Sequence, residues 1–303
     1  MGLGYNLGNL FDCYNNSLGE LKNPDDQITL CGNSIPTKKM IKSIKKNGFH
    51  TIRFPVTWMH FMDESGKIDP NWMNRVKEVI DWTIESNMYC ILNVHNDGIP
   101  GNWLSKGLMS KNKYINLWKQ IADKFQVYDE HLNFESMNEY EYNDTNILFN
   151  FTQIFVDTIR NSGGNNIYRL LLIPGIKSNI DLTCSLEYKI PKDPSNNLGI
   201  SINYYVPGQF TIATEDKPFK YKILTGDVYE LHDYKTWGTD SNYKEIATDF
   251  NTMKKAFIDK EIPVIISEVG VITEEKKNII SIREYLNFIF SLSAEYDGIT
   301  SCL

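Results

Sequence analysis

Short apolar runs that end in polar residues recur along this chain, and between them lie longer stretches whose apolar residues keep helical spacing. That alternation is the signature of βα units, and it restricts the fold to an α/β architecture around a parallel sheet. The runs are residues 4–9, 51–55, 89–94, 131–135, 168–173, 198–204, 263–268 and 298–303. Tyr89-Cys90-Ile91-Leu92-Asn93-Val94 is nearly continuous in apolar residues, as a strand covered on both faces requires. Helices are expected over 37–47, 70–87, 114–125, 145–160, 243–260 and 273–295. The second of these opens on Asp69-Pro70, a capping residue followed by proline at the first helical position.

Eight runs in 303 residues predict one (β/α)8 TIM barrel, a fold of roughly 250 residues. It forms a single domain over 1–303, with the chain stopping in strand eight before a last helix, so that the barrel seam is thinly covered. The rival, an open nucleotide-binding sheet, needs a glycine-rich phosphate loop after its first strand. Gly4 to Gly8 lacks that pattern.

A net charge of -7 argues against a nucleic-acid partner, which requires a basic face. No apolar stretch of about 20 residues predicts a membrane span, and no signal peptide is visible. The cysteines Cys13, Cys31, Cys90, Cys184 and Cys302 lack zinc spacing. Cys90 and Cys302 read as buried thiols, while Cys13 and Cys31 flank one loop and leave a bridge between them open. Asn15, Asn143 and Asn150 stand in glycosylation sequons, a weak signal in so Asn-rich a chain.

Polar residues stand at the exits of most runs: Asn9, Arg53, His95, Asn138 and Glu139, Asn203 and Tyr205, Glu268. Singly, Arg53 reads as a structural ion-pair partner, His95 as a core histidine and Glu268 as a surface carboxylate. A barrel gathers strand exits on one rim, where active sites of this fold sit, so their coincidence predicts a site. Two acidic residues on different strands, Glu139 and Glu268, suit acid/base work on a glycosidic bond.

Over almost its whole length the chain resembles glycoside hydrolase family 5, the cellulase family, closest to the subfamily 4 endoglucanases and xyloglucanases. The stretches that carry the resemblance are GYNLGNLFD, GNSIPT, GFHTIRFPVTW, ILNVHND, FESMNE, INYYVPGQF, TWGTD and IPVIISEVG. It implies a retaining mechanism with Glu139 as acid/base, Glu268 as nucleophile and carboxyl groups about 5–5.5 Å apart. It further implies that Arg53 lies near the nucleophile, Tyr205 hydrogen-bonds it, Asn138 meets the sugar 2-hydroxyl and His95 holds the first glycone sugar. Trp103 and Trp237, on rim loops, resemble the subsite tryptophans. Trp58 follows strand two and reads as core or rim, whereas Trp72, Trp82 and Trp118 keep helical spacing and read as packing.

The chain departs from the family pattern where Asn203 replaces a histidine beside the acid/base, and where Asn96 and Tyr140 replace a histidine and a proline. An amide hydrogen-bonds but carries no titratable proton, so a changed pH profile is expected. The family's glycone-subsite tryptophan would come after Leu303. The expected activity is a retaining endo-β-1,4-glucanase acting on cellulose, mixed-linkage glucan or xyloglucan, secreted, with no metal or cofactor and no membrane partner. It is expected to be monomeric, or part of a longer multidomain protein. The alternative is a glycan-binding protein using the same cleft without hydrolysis, and a mannan-active enzyme is a third possibility.

Overall fold

A computed structural model describes residues 1–14, 21, 23–139, 144–177, 179–215, 219–223, 226–230, 233–273 and 277–303. Asn15, Tyr140 and Asn143 lie outside the described residues.

Eight parallel strands follow one another around the sheet: β1 (Gly4–Asn6), β2 (Thr51–Phe54), β3 (Tyr89–Asn93), β4 (Leu132–Glu135), β5 (Leu171–Pro174), β6 (Leu198–Tyr204), β9 (Val264–Val269) and β10 (Ile299–Ser301). The ring closes where β10 meets β1: Asn6 N–H donates to Leu303 O at 2.7 Å and Leu303 N–H to Gly4 O at 3.0 Å. Close approach there needs glycine, because a Cβ on Gly4 would stand 2.3 Å from Cys302 Sγ. The seam is thus hydrogen-bonded shut, and a cavity of about 520 Å³ lies beside β10 against Met1, Phe290 and Tyr296.

Helices α1 (Pro24–Thr29), α2 (Lys38–Lys46), α3 (Pro70–Glu85), α4 (Lys111–Phe125), α5 (Thr145–Arg160), α6 (Ile180–Thr183), α7 (Gly208–Thr211), α8 (Asp240–Ala256) and α9 (Ile279–Glu295) fall between the strands. Asp69 caps α3 by accepting from the N–H groups of Asn71 and Trp72, satisfying donors that the first turn leaves unpaired. The helix expected from 273 begins at Ile279 instead, since Asn278 accepts from Ile280 N–H and Ser281 N–H and sets the start there. The stretch after β6 holds α7 and an antiparallel pair of β7 (Phe219–Ile223) and β8 (Gly226–Glu230).

Strand parity sorts the side chains. Ile52, Phe54, Cys90, Leu92, Phe134, Ile200 and Ile266 face the helices and form the outer core. The alternate residues point into the barrel, where Ile91, Leu172, Ile265 and Cys302 make an apolar floor. Two residues further along, the same parity brings Asn93 on β3 and Ser267 on β9 into the interior, at 0% and 1% exposure. The barrel is therefore apolar at its base and polar toward its C-terminal mouth.

Candidate active site

Arg53 on β2 is the centre of that polar layer, and its guanidinium is fully buried. Its five N–H bonds meet five acceptors. Nε–H and one Nη2–H grip Glu135 at 2.7 and 3.0 Å. One Nη1–H donates to Glu268 at 2.7 Å and the other to Asn6 Oδ1 at 3.1 Å. The remaining Nη2–H donates to Asn138 Oδ1 at 2.9 Å. Burial works against the Arg53 charge, yet Glu135 first and Glu268 second outweigh it and raise the group above its ordinary value. A planar fork with five donors suits such a junction, where a lysine would not.

Glu268 stands near the exit of β9, and a register shift puts it there. Ile202 pairs with Ile266, but Asn203 pairs with Glu268, so Ser267 is the extra residue of a bulge. Strict alternation would send one of Ser267 and Glu268 outward. With the bulge, both serve the barrel mouth. Burial opposes the charge of Glu268, but the Arg53 guanidinium beside it outweighs burial and holds the carboxyl below the usual carboxylate range. Tyr205 O–H donates to the other carboxylate oxygen at 3.0 Å. Burial, then Glu268, push that phenol well above its ordinary value, so it stays a donor.

His95 follows β3, its Nε2 3.8 Å from Glu268. Val56 N–H occupies Asn93 Oδ1, so the Asn93 amide N–H is what faces His95 Nδ1 at 3.2 Å, which puts the ring proton on Nε2. Burial lowers its ordinary value, against the pull of Glu268, and favours the neutral ring.

Glu139 accepts from Asn203 Nδ2–H at 2.9 Å, and Ser267 Oγ–H donates to Asn203 Oδ1 at 2.7 Å. The hydroxyl thereby fixes which end of the amide faces Glu139. Glu139, Asn138, Asn203 and Ser267 line a narrow cleft with Glu135. Beside it opens a cavity of about 510 Å³ bounded by Asn6, Asn9, Asp12, His95, Asn96, Tyr205 and Glu268, among others. Of the residues expected at the site, Arg53, His95, Asn138, Glu139, Asn203, Tyr205 and Glu268 come together.

Trp103 and Trp237 do not join them. Trp103 is 8% exposed, and its Nε1–H is spent on Asp97 Oδ1 at 2.6 Å. Trp237 is 4% exposed and packs edge-on against Tyr243 and Tyr285. Neither ring offers a sugar a free face, so both are corrected from platforms to packing residues. Trp58, also buried, donates to Asn93 O at 3.1 Å and belongs to the core. Asn96 pins two rim loops together by donating to Asp12 O at 2.7 Å.

Sequence reasoning gave no role to Asn6, Asn93, Glu135, Ser201 or Ser267. Their signal was parity: Asn6, Asn93, Ser201 and Ser267 each follow an apolar or small residue two positions back on the same face, whereas Glu135 follows the buried Asn133.

The family model for Cellulase (glycosyl hydrolase family 5) matches residues 19–300. Endoglucanase A of Paenibacillus barcinonensis is 33% identical over 299 residues, covering 90% of this chain and 72% of that protein. Endoglucanase A of Clostridium longisporum is 31% identical over 315 residues, and there the chain spans 99% of itself but only 56% of the relative. Among solved structures, a GH5-4 broad specificity endoglucanase from an uncultured bovine rumen ciliate superposes with a TM-score of 0.94 at 55% identity, covering 100% of this chain and 86% of the other. A lichenase from Caldicellulosiruptor sp. F32, solved with cellotetraose, gives a TM-score of 0.87 at 29% identity over 99% of this chain and 83% of that one.

Proposed function

The chain belongs to the cellulase family, glycosyl hydrolase family 5, and from that premise we propose a retaining endo-β-glucanase in which Glu268 attacks and Glu139 moves the proton. The observation that carries this reading is the unequal treatment of two carboxyl groups at one barrel mouth. Glu268 receives Arg53 and Tyr205, a cation and a phenol that favour its ionised form, whereas Glu139 accepts from the neutral amide of Asn203. Pairs of carboxyl groups in different surroundings are how one site runs nucleophilic and acid chemistry together.

In the first step a Glu268 oxygen bonds to the anomeric carbon and the glycosidic C–O bond breaks toward the leaving oxygen, which takes the Glu139 proton. Glu139 then deprotonates a water that displaces Glu268. Asn138 gives its oxygen to Arg53, which leaves its N–H₂ for a sugar hydroxyl. Nε2–H of His95 is a second donor toward the glycone side. The cycle needs neither metal nor cofactor.

The relatives named for endoglucanase and lichenase activity support β-1,4-linked or mixed-linkage glucans, with xyloglucan within the same class. A polymer of that size is met outside the cell, and the Cys13–Cys31 disulfide fits an oxidising compartment; both support secretion. We read the barrel as a monomeric catalytic unit.

Reducing-sugar release from soluble barley β-glucan, with Glu268→Gln as control, tests the reading. Release by the wild type with loss of at least 1,000-fold in the variant is expected, in the range that removal of a nucleophile costs. Equal rates would leave a cleft that binds glycan without cutting it.

A further inference from the structure

A nucleophile that forms an ester loses its charge. When Glu268 bonds to the anomeric carbon, the electron pair of the glycosidic bond leaves with the departing oxygen and the carboxylate becomes a neutral ester. Arg53, 0% exposed, then loses one of its two anionic partners midway through the reaction. A buried guanidinium without a counter-charge is strongly destabilised, and it would pull the step back toward free carboxylate.

The geometry assigns Glu135 as the permanent counter-ion of Arg53, a positioning residue that keeps the guanidinium paired while the charge of Glu268 disappears and returns. This rests on the reading of Glu268 as nucleophile. Glu135 is 1% exposed and takes no part in the open cavity. It binds Arg53 bidentately, and its two oxygens also accept from Asn93 Nδ2–H at 3.2 Å and Ser201 O–H at 2.5 Å. Every one of those four contacts is a donor pointing into the carboxylate, from three strands, so its place does not depend on what happens at Glu268.

The same grip aims the other edge of the guanidinium. With Nε and half of Nη2 held by Glu135, the free N–H bonds can point only at Glu268, Asn6 and Asn138. The ionisable groups around Glu268 are Arg53 on β2, His95 after β3, Glu135 on β4, Glu139 after it and Asp12 after β1, with the neutral phenol of Tyr205 after β6. Among the described residues, Glu135 is the carboxylate that contacts the guanidinium from the buried side.

Removing the charge of Glu135 while keeping its shape leaves Arg53 to Glu268 alone. The carboxylate becomes a worse nucleophile and a better leaving group. Glu135→Gln should therefore slow formation of the glycosyl-enzyme and leave its breakdown unhindered. A 2-deoxy-2-fluoro cellobioside with a dinitrophenyl leaving group separates the steps, since trapping reports formation and reactivation reports breakdown. Trapping at least 10-fold slower in Glu135→Gln, with reactivation equal or faster, is expected. A loosened site would slow both together, and that result overturns the assignment. If Glu135→Gln fails to fold, Glu135→Asp, whose retracted charge pairs Arg53 less well, is read in the same way. If wild-type protein is not trapped on Glu268 at all, the nucleophile reading falls instead.

Discussion

Asn203 donates its amide N–H to Glu139 at 2.9 Å, in the place where the family pattern has a histidine. The donor carries no proton that titrates, so the proton inventory around Glu139 is simpler by one group. Asn203→Ala should lower kcat several-fold with KM little changed, from the loss of about 1 kcal/mol for one hydrogen bond. Ser267→Ala should cost a few-fold, about 1 kcal/mol, because the amide is then free to turn its oxygen toward Glu139. Steady-state rates on β-glucan check both, and a Ser267→Ala enzyme with wild-type kcat would remove the orienting role of the hydroxyl.

Arg53 sets the acid limb of activity. The folded value of Glu268 is depressed, so its ionised form contributes stability above the ordinary carboxylate value of ~4.3, and that contribution is lost as pH falls through the depressed value. Arg53→Lys keeps one charge but cannot grip Glu135 with two bonds while reaching Glu268. The acid limb of kcat/KM should move to higher pH, with a loss of at least about 10-fold at pH 5. A pH–rate profile that stays in place would show that Arg53 does not govern Glu268.

Asp97 has the opposite sign. Burial pushes it up to about 6, against hydrogen bonds from Trp58 N–H and Trp103 Nε1–H. A folded value above the unfolded ~3.9 means that its contribution is full below that unfolded value and is lost as pH rises through about 6. Urea unfolding of wild type and Asp97→Asn at pH 4 and pH 7.5 should show the wild-type advantage shrinking by roughly 2–3 kcal/mol between them.

Trp103 and Trp237 should behave as packing residues. Trp237→Phe and Trp103→Phe are expected to lower Tm by several degrees, from about 1–3 kcal/mol of lost packing or hydrogen bonding. Their KM for cello-oligosaccharides should stay within about two-fold, where loss of a stacking platform removes 1 kcal/mol or more of binding.

Reduction of the Cys13–Cys31 bridge, whose partners are 18 residues apart, should lower Tm by roughly 5–10 °C, following from about 3 kcal/mol for a loop of that size. Calorimetry with and without reductant measures it.

The barrel was legible because strand and helix periods differ, and α5 and β6 fall on the residues that periodicity marks. The positions of Glu139 and Glu268 at the barrel mouth were legible because they stand at the exits of apolar runs. What stayed hidden depends on contacts between strands. Glu135 reads in sequence as the closing residue of its run, yet its role comes from Arg53, 82 residues away, and from Ser201, 66 residues away. Glu268 faces the same mouth as Ser267 through a bulge that no local pattern announces. The two tryptophans failed because a rim position says where a loop lies, not which way its ring turns; Asp97 turns one of them inward.

Asn6 lies beside the seam, with its side-chain amide donating to Ser267 O on β9 at 2.7 Å and its carbonyl oxygen accepting from Arg53. Its backbone N–H is the bond that joins the first strand to Leu303. A nascent chain emerging from the ribosome would hold Arg53, Glu135 and Glu139 long before β9 and β10 exist, with no Glu268 for the guanidinium to meet. The charge cluster is complete only once β9 has come to Asn6 and Arg53, so the onset of turnover during refolding would time the docking of that strand.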